Sequence, residues 1–362
     1  MSWRDHVARI YDRLRPGRTA AHTPQGPRRG PVDHVLILDG TMSTLTPGYE
    51  TNAGLTYKLL SETACADMTV FYEAGIQWRD WRATGDIILG RGINRQIRRA
   101  YGLLASRYRP GDRLFLMGYS RGAFAVRSLA GVIDRIGLLR AGEATERNVR
   151  LAWRHYRCDP GSDATAAFAR GYCHPDAAIE MVGVWDTVKA LGLCVPVLWR
   201  FRADRNGFHT HHLGTATRHG YHALALDETR MAYTPVLWQT PDGYDGHVEQ
   251  VWFRGTHSDV GGQLCGFNAA RPLANIPLVW MLDRLEGCGL RLPDGWRGRF
   301  PQDPDAPSLG TWAGWGKLLL RRAPRQIGLD PSERLHENVP RPGAARPERG
   351  PRRAVLGGRG GP

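Results

Sequence analysis

Gly118-Tyr119-Ser120-Arg121-Gly122 constrains this chain more than any other stretch. It follows the apolar run Leu114-Phe115-Leu116-Met117 and precedes Ala123-Phe124-Ala125-Val126-Arg127-Ser128-Leu129-Ala130, so it reads as strand, sharp turn, helix. A serine on such a turn is lifted out of the sheet with its hydroxyl exposed. Gly118 and Gly122 flank it because a side chain at either place would clash with the neighbouring strand or helix. The amide of Arg121 then sits at a helix N-terminus, where it can donate to a developing negative charge. The motif supplies a nucleophile and one oxyanion donor together. A glycine-rich turn with an incidental serine would spell the same string, so the partners of Ser120 decide.

A serine hydroxyl is a poor nucleophile until a base takes its proton, and the base needs a third group to hold it. In a strand–turn–helix site of this kind the chain order is Ser, acid, His. The acid expected is Asp186, at the end of the apolar run in Val182-Gly183-Val184-Trp185-Asp186-Thr187-Val188. Ligand and catalytic groups gather at that edge of an open α/β sheet; capping of a following helix is the structural alternative. The base expected is His257, where Val251-Trp252-Phe253 runs into the loop Arg254-Gly255-Thr256-His257-Ser258-Asp259-Val260-Gly261-Gly262. Asp259 either orients this loop or competes with Asp186 as the third member. The second oxyanion donor is expected from Gly40 and Thr41, after an early strand, with Asp39 fixing their loop by hydrogen bonds.

Strand candidates are Val35–Leu38, Met68–Tyr72, Leu114–Met117, Ile179–Trp185 and His247–Phe253, with helical segments between them. Ile93, Ile97, Tyr101 and Leu104 recur at helical spacing before the nucleophile strand. Alternation of this kind predicts a mostly parallel sheet covered on both faces. Two segments read as insertions. Residues 140–178 are polar and helical in pattern. Residues 190–222 carry an apolar part (191–201), read as a lid, an acyl-chain wall or ordinary core, and then a histidine-rich part with His209, His211, His212, His219 and His222. No recognised metal-ligand spacing occurs there, so neither metal nor cofactor is expected. The organisation expected is a flexible basic segment over 1–31, a catalytic domain over 32–303, a peripheral segment with a short amphipathic helix (Trp312–Leu320) over 304–339, and a disordered basic tail over 340–362.

The formal charge is +14, and only three of the 49 basic residues are lysine. Arginine suits phosphate recognition, in nucleic acid and phospholipid headgroups alike; a bias toward Arg, Gly and Ala codons is the plainer account. No nucleic-acid motif with interleaved aromatics accompanies the charge, so nucleic acid is not expected as a partner. Cys65, Cys158, Cys173, Cys194, Cys265 and Cys288 form no CxxC pair, no secretory signal opens the chain and no apolar run is long enough to span a membrane. The expectation is a cytoplasmic protein, or one exported by a leaderless route.

Taken together, Leu38-Asp39-Gly40-Thr41, Gly118 to Phe124, Val184 to Val188 and Trp252 to Gly262 resemble the α/β-hydrolase domains of the phospholipase effectors of bacterial type VI secretion and their uncharacterised relatives. His222-Ala223-Leu224-Ala225-Leu226-Asp227-Glu228, Pro235-Val236-Leu237-Trp238 and Leu273-Ala274-Asn275-Ile276-Pro277 fit the same pattern, so the resemblance covers about residues 32–290. It implies an α/β-hydrolase fold, with helices on both faces of the sheet and helical insertions near the site, and a serine hydrolase of carboxylic esters. Phospholipid is the implied substrate class, and Ser120, Asp186 and His257 fall on the triad positions. Two departures stand out: those effectors usually carry a large additional membrane-contacting region where this chain has a short tail, and Ser43 stands where an Asn often follows the Asp-Gly-Thr motif. The expected partner is a lipid or other ester substrate, with peripheral membrane contact an option that the basic and apolar segments leave open. A hydrolase of soluble esters or thioesters, and a non-catalytic binding module on the same fold, remain as alternatives; oligomeric state is left open.

Overall fold

The structure, a computed structural model, describes residues 29–63, 65–75, 91–188, 212–240, 243–312 and 319–339. The amino-terminal helix and linker, the apolar part of the 190–222 insertion, most of the expected 312–320 helix and the basic tail lie outside the described residues. The strands are β1 (Asp33–Leu38), β2 (Met68–Glu73), β3 (Arg113–Tyr119), β4 (Leu138–Leu139), β5 (Cys173–His174), β6 (Ile179–Trp185), β7 (Thr217–Ala225), β8 (His247–Phe253) and β9 (Glu333–Leu335). The helices are α1 (Asn52–Thr63), α2 (Arg91–Arg107), α3 (Arg121–Ile136), α4 (Glu146–Cys158), α5 (Asp163–Tyr172), α6 (His257–Gly261) and α7 (Arg271–Gly287).

Seven strands form one sheet in the order β2-β1-β3-β6-β7-β8-β9, and every pairing in it is parallel. Parallel strands are covered on both faces, so their sequences run continuously apolar instead of alternating. β1 illustrates this: Leu36 and Leu38 enter one core with Ile97 and Tyr101 of α2, Leu129 of α3 and Trp153 of α4. Val35 and Ile37 enter the other with Leu60 of α1 and Leu282 of α7. Side chains alternate across a strand, so each apolar residue of β1 serves one layer of helices. The order reverses direction between β1 and β3, which makes the crevice at their carboxyl ends the place where a ligand fits.

The helical reading of 140–178 matches α4 and α5, capped by Thr145 and Ser162 accepting from the amides of Asn148 and Thr165. The insertion reading of 190–222 needs correction at its end. Thr217 to His222 belong to β7, an inner strand between β6 and β8. Its polar residues are accommodated individually: His222 is fully buried, takes the Thr187 amide on Nε2 at 3.1 Å and meets Gln250 through Nδ1. The chain beyond 303 also contributes to the sheet. β9 pairs with β8, and the Gln250 side chain donates to Ser332 Oγ at 2.9 Å. Cys65, Cys158, Cys173, Cys265 and Cys288 are free, and among the described residues no helix is long and apolar enough to cross a membrane.

Candidate active site

β3 ends at Tyr119 and α3 begins at Arg121, leaving Ser120 alone at the turn with φ +57°. A non-glycine residue there stores backbone strain of about 1–3 kcal/mol, held in this case by the Ser120 amide donating to the Trp185 carbonyl at 3.0 Å. The turn is tight because α3 is laid directly on β1. A Cβ at Gly122 would stand 2.1 Å from the Leu38 carbonyl oxygen, and one at Gly118 would stand 2.8 Å from the backbone of Gly122 and Ala123.

The carboxyl ends of β6 and β8 bring Asp186 and His257 to this turn. His257 Nε2 lies 2.9 Å from Ser120 Oγ, and Nδ1 lies 2.5 Å from Asp186 Oδ2. All three side chains are buried. Asp259 lies elsewhere: its carboxylate accepts from the Thr256 amide and hydroxyl at 2.8 Å, from the Ser308 hydroxyl at 2.6 Å and from the Leu309 amide at 2.8 Å. It caps the short α6 that begins at His257, so of the two acids it is Asp186 that meets the imidazole.

The loop after β1 matches expectation in part. Asp39 is buried and accepts from the Thr51 and Tyr72 hydroxyls at 2.6 and 2.7 Å. Burial pushes its carboxyl up, against the pull of these bonds. The same carboxylate takes the Gly40 amide at 2.6 Å, so Gly40 is committed to the loop and is not an open oxyanion donor. The expectation for Gly40 is corrected on that ground. What Gly40 does provide is clearance: a Cβ there would meet the Tyr119 ring at 2.6 Å and Ser120 Cβ at 3.4 Å. The Arg121 amide occupies the first helical position, where no intrahelical acceptor exists. The Arg121 guanidinium is half-buried and makes no hydrogen bond or ion pair among the described residues, and burial lowers its pKa.

Four further residues complete the surroundings. Glu228, buried, accepts from the His257 amide at 3.2 Å and is gripped by Arg230 at 2.8 and 2.6 Å. Burial alone would raise its carboxyl, but Arg230 holds it below the usual range. Arg230 covers the Tyr233 ring at 4.3 Å, and Tyr233 stacks on the His257 ring at 4.6 Å with planes 14° apart. Arg325 reaches Asp186 from the other end of the chain, with its two terminal nitrogens 2.5 and 2.8 Å from Oδ1 and Oδ2. Burial disfavours charge on Asp186, yet Arg325 and His257 together hold its carboxyl far below the ordinary value. Glu228 lies in the stretch His222–Glu228 that carries part of the resemblance, though its sequence assigns it no role. Arg325 is one arginine among many and has no local signature.

The family described as "T6SS, Phospholipase effector Tle1-like, catalytic domain" matches residues 33–284. The uncharacterized protein YEL023C of Saccharomyces cerevisiae is 26% identical over 236 residues, which cover 56% of this chain and 33% of that protein. The chain therefore spans about a third of that relative's length. Among solved structures, an uncharacterized protein from Pseudomonas aeruginosa aligns over 83% of this chain and 51% of its own, with 15% identity and a TM-score of 0.42. The Tle1 effector bound to the VgrG spike of the type 6 secretion system aligns over 65% of this chain and 52% of its own, with 18% identity and a TM-score of 0.35. With a match running through β1, the Ser120 turn, Asp186, His257 and most of α7, the chain belongs to the catalytic-domain family of the Tle1-like phospholipase effectors of type VI secretion.

Proposed function

We propose that this protein is a serine hydrolase of α/β-hydrolase type that cleaves carboxylic esters of phospholipids. The observation that carries the reading is the unbroken path from Ser120 Oγ through His257 to Asp186, at 2.9 and 2.5 Å. Asp186, ionised, accepts a hydrogen bond from Nδ1–H and leaves Nε2 as the base. Ser120 Oγ attacks the ester carbonyl as its proton passes to Nε2. The tetrahedral oxyanion takes the Arg121 amide and, from the loop after β1, the Thr41 amide. The carbon–oxygen bond to the leaving alcohol breaks as Nε2 returns the proton to it. Water, deprotonated by His257, then cleaves the acyl-enzyme to free acid and Ser120. The sequence requires no metal or cofactor.

Phospholipid is favoured within this reading by family membership and by Arg121, whose half-buried guanidinium, without a hydrogen bond or ion pair among the described residues, suits an anionic group beside the scissile ester. The test is fatty-acid release from mixed phospholipid vesicles, beside turnover of a short chromogenic ester, by the protein and by Ser120→Ala. Both reactions are expected, with Ser120→Ala losing at least about 10³-fold. Turnover of the short ester alone would remove the phospholipid assignment. Equal turnover by Ser120→Ala would remove the mechanism.

A further inference from the structure

Asp186 is held from two sides. His257 takes Oδ2, and the Arg325 guanidinium takes both oxygens, with a side chain only 4% exposed against a carboxylate that is fully buried. The same two nitrogens donate to the carbonyls of Ala225 at 2.7 Å and Tyr233 at 2.6 Å, so the fork is fixed before it meets the acid. Arg325 is carried by a strap laid along the turn after β7. The Met231 amide donates to the Arg321 carbonyl at 3.0 Å, and the Ala323 amide donates to the Thr229 carbonyl at 2.8 Å. Arg322 reinforces it by donating to the Thr311 hydroxyl at 2.7 Å and lying over the Trp312 ring. The strap lies beyond residue 284, where the family match ends.

We infer that Arg325 is a positioning residue of the hydrolysis: its bidentate grip keeps Asp186 a carboxylate, and so keeps the single imidazole proton of His257 on Nδ1, away from Ser120. The inference rests on the triad reading above. A protonated Asp186 would donate to Nδ1, which would place the imidazole proton on Nε2. Nε2 would then face Ser120 as a donor and could not take its proton.

The groups facing Asp186 decide which form persists. The Ala225 amide donates to Oδ1 at 3.0 Å. His222 on β7 is pushed down to about 3 by burial and stays neutral, and the Tyr119 hydroxyl on β3 is pushed up by burial and stays neutral. Glu228 and Arg230, beside His257, cancel each other. That leaves Arg325 as the cation, among the described residues, whose charge is matched by Asp186 itself. Arg325 also has an opposing effect, because neutralising the carboxylate weakens its support of the imidazolium that forms during reaction. The first effect dominates, since a fully buried carboxylate without a counter-charge protonates or distorts the site.

The experiment uses the full chain, with Arg325→Met and Arg325→Lys beside Ser120→Ala. It measures kcat and KM for a short chromogenic ester from about pH 5 to pH 9, with circular dichroism confirming the fold. Arg325→Met is expected to lose on the order of 10²-fold in kcat near neutral pH, approaching the loss seen when a triad acid can no longer accept. KM should hold within about twofold, since Arg325 touches no substrate. The acid limb should move to higher pH, so that the deficit shrinks as pH rises. Arg325→Lys restores charge without the fork and should fall between the two; if Arg325→Met does not fold, the shifted acid limb of Arg325→Lys carries the test. A parental pH profile, or a deficit equal at every pH with KM raised, overturns the inference. Turnover surviving in Ser120→Ala would instead remove the triad reading beneath it.

Discussion

At the scale of single residues, the site depends on atoms that are absent as much as on those present. Gly122 lets α3 rest on the end of β1, and the 2.1 Å that a Cβ would leave to the Leu38 carbonyl oxygen cannot be relieved by a side-chain rotation. Gly122→Ala is therefore expected to destabilise the fold by about 1–3 kcal/mol or more, read as a lowered melting temperature, and to displace Ser120 from His257. An unchanged melting temperature would show that helix and strand can separate freely. Ser120, Asp186 and His257, which the fold brings within hydrogen-bond distance of one another, were legible in the sequence as candidates because each follows an apolar run at a turn or sharp bend. Arg325 was not, because 139 residues separate it from Asp186 and its neighbours carry no periodicity. The Gly40 expectation failed for a related reason: which amide a loop leaves open depends on where the Asp39 carboxylate turns, and that is a three-dimensional fact.

At the scale of elements, the His257 loop is placed by what lies beneath it. The Asn52 side chain, on the first turn of α1, donates to the Val260 carbonyl of α6 and the Ala274 carbonyl of α7, both at 2.9 Å, and its own oxygen accepts from Arg271 at 3.0 Å. Asn52→Ala removes the side-chain donor that ties the Val260 carbonyl of α6 to the Ala274 carbonyl of α7, at a cost of about 1–3 kcal/mol. Its urea midpoint should fall accordingly, with ester turnover reduced because α6 starts at His257. A midpoint equal to the parent's would mean other donors replace it. Strands β1, β2, β3, β6 and β8 could be read from the sequence as short apolar runs, and α2 from its helical spacing. β7 could not, because Thr217-Arg218-His219-Gly220 looks like a solvated loop. From Gly220 onward it is buried nonetheless: its position between β6 and β8 is set by the sheet, and His222 finds its partners there. β9 is too short to announce itself.

At the scale of the whole molecule, stability draws on buried carboxylates, one of which lies at the candidate site. Asp112, Asp186 and Glu228 all titrate below their ordinary values, because His34, Arg325 and Arg230 respectively overcome the cost of burial. A carboxyl lowered in the folded state stabilises the fold above its unfolded pKa and loses that contribution as pH falls through the folded value. Asp39, raised by burial, works in the opposite sense, but it stands against three. The urea midpoint should therefore drop steadily as pH is taken below about 4; a midpoint that rises on acidification would contradict these pairings. Whether Ser120 is an activated nucleophile is tested by labelling with a fluorophosphonate, which forms a covalent bond only with an activated serine. One adduct per chain is expected, located on Ser120 by mass spectrometry and lost in His257→Ala. Folded protein that takes no label, or takes it at another residue, would contradict it.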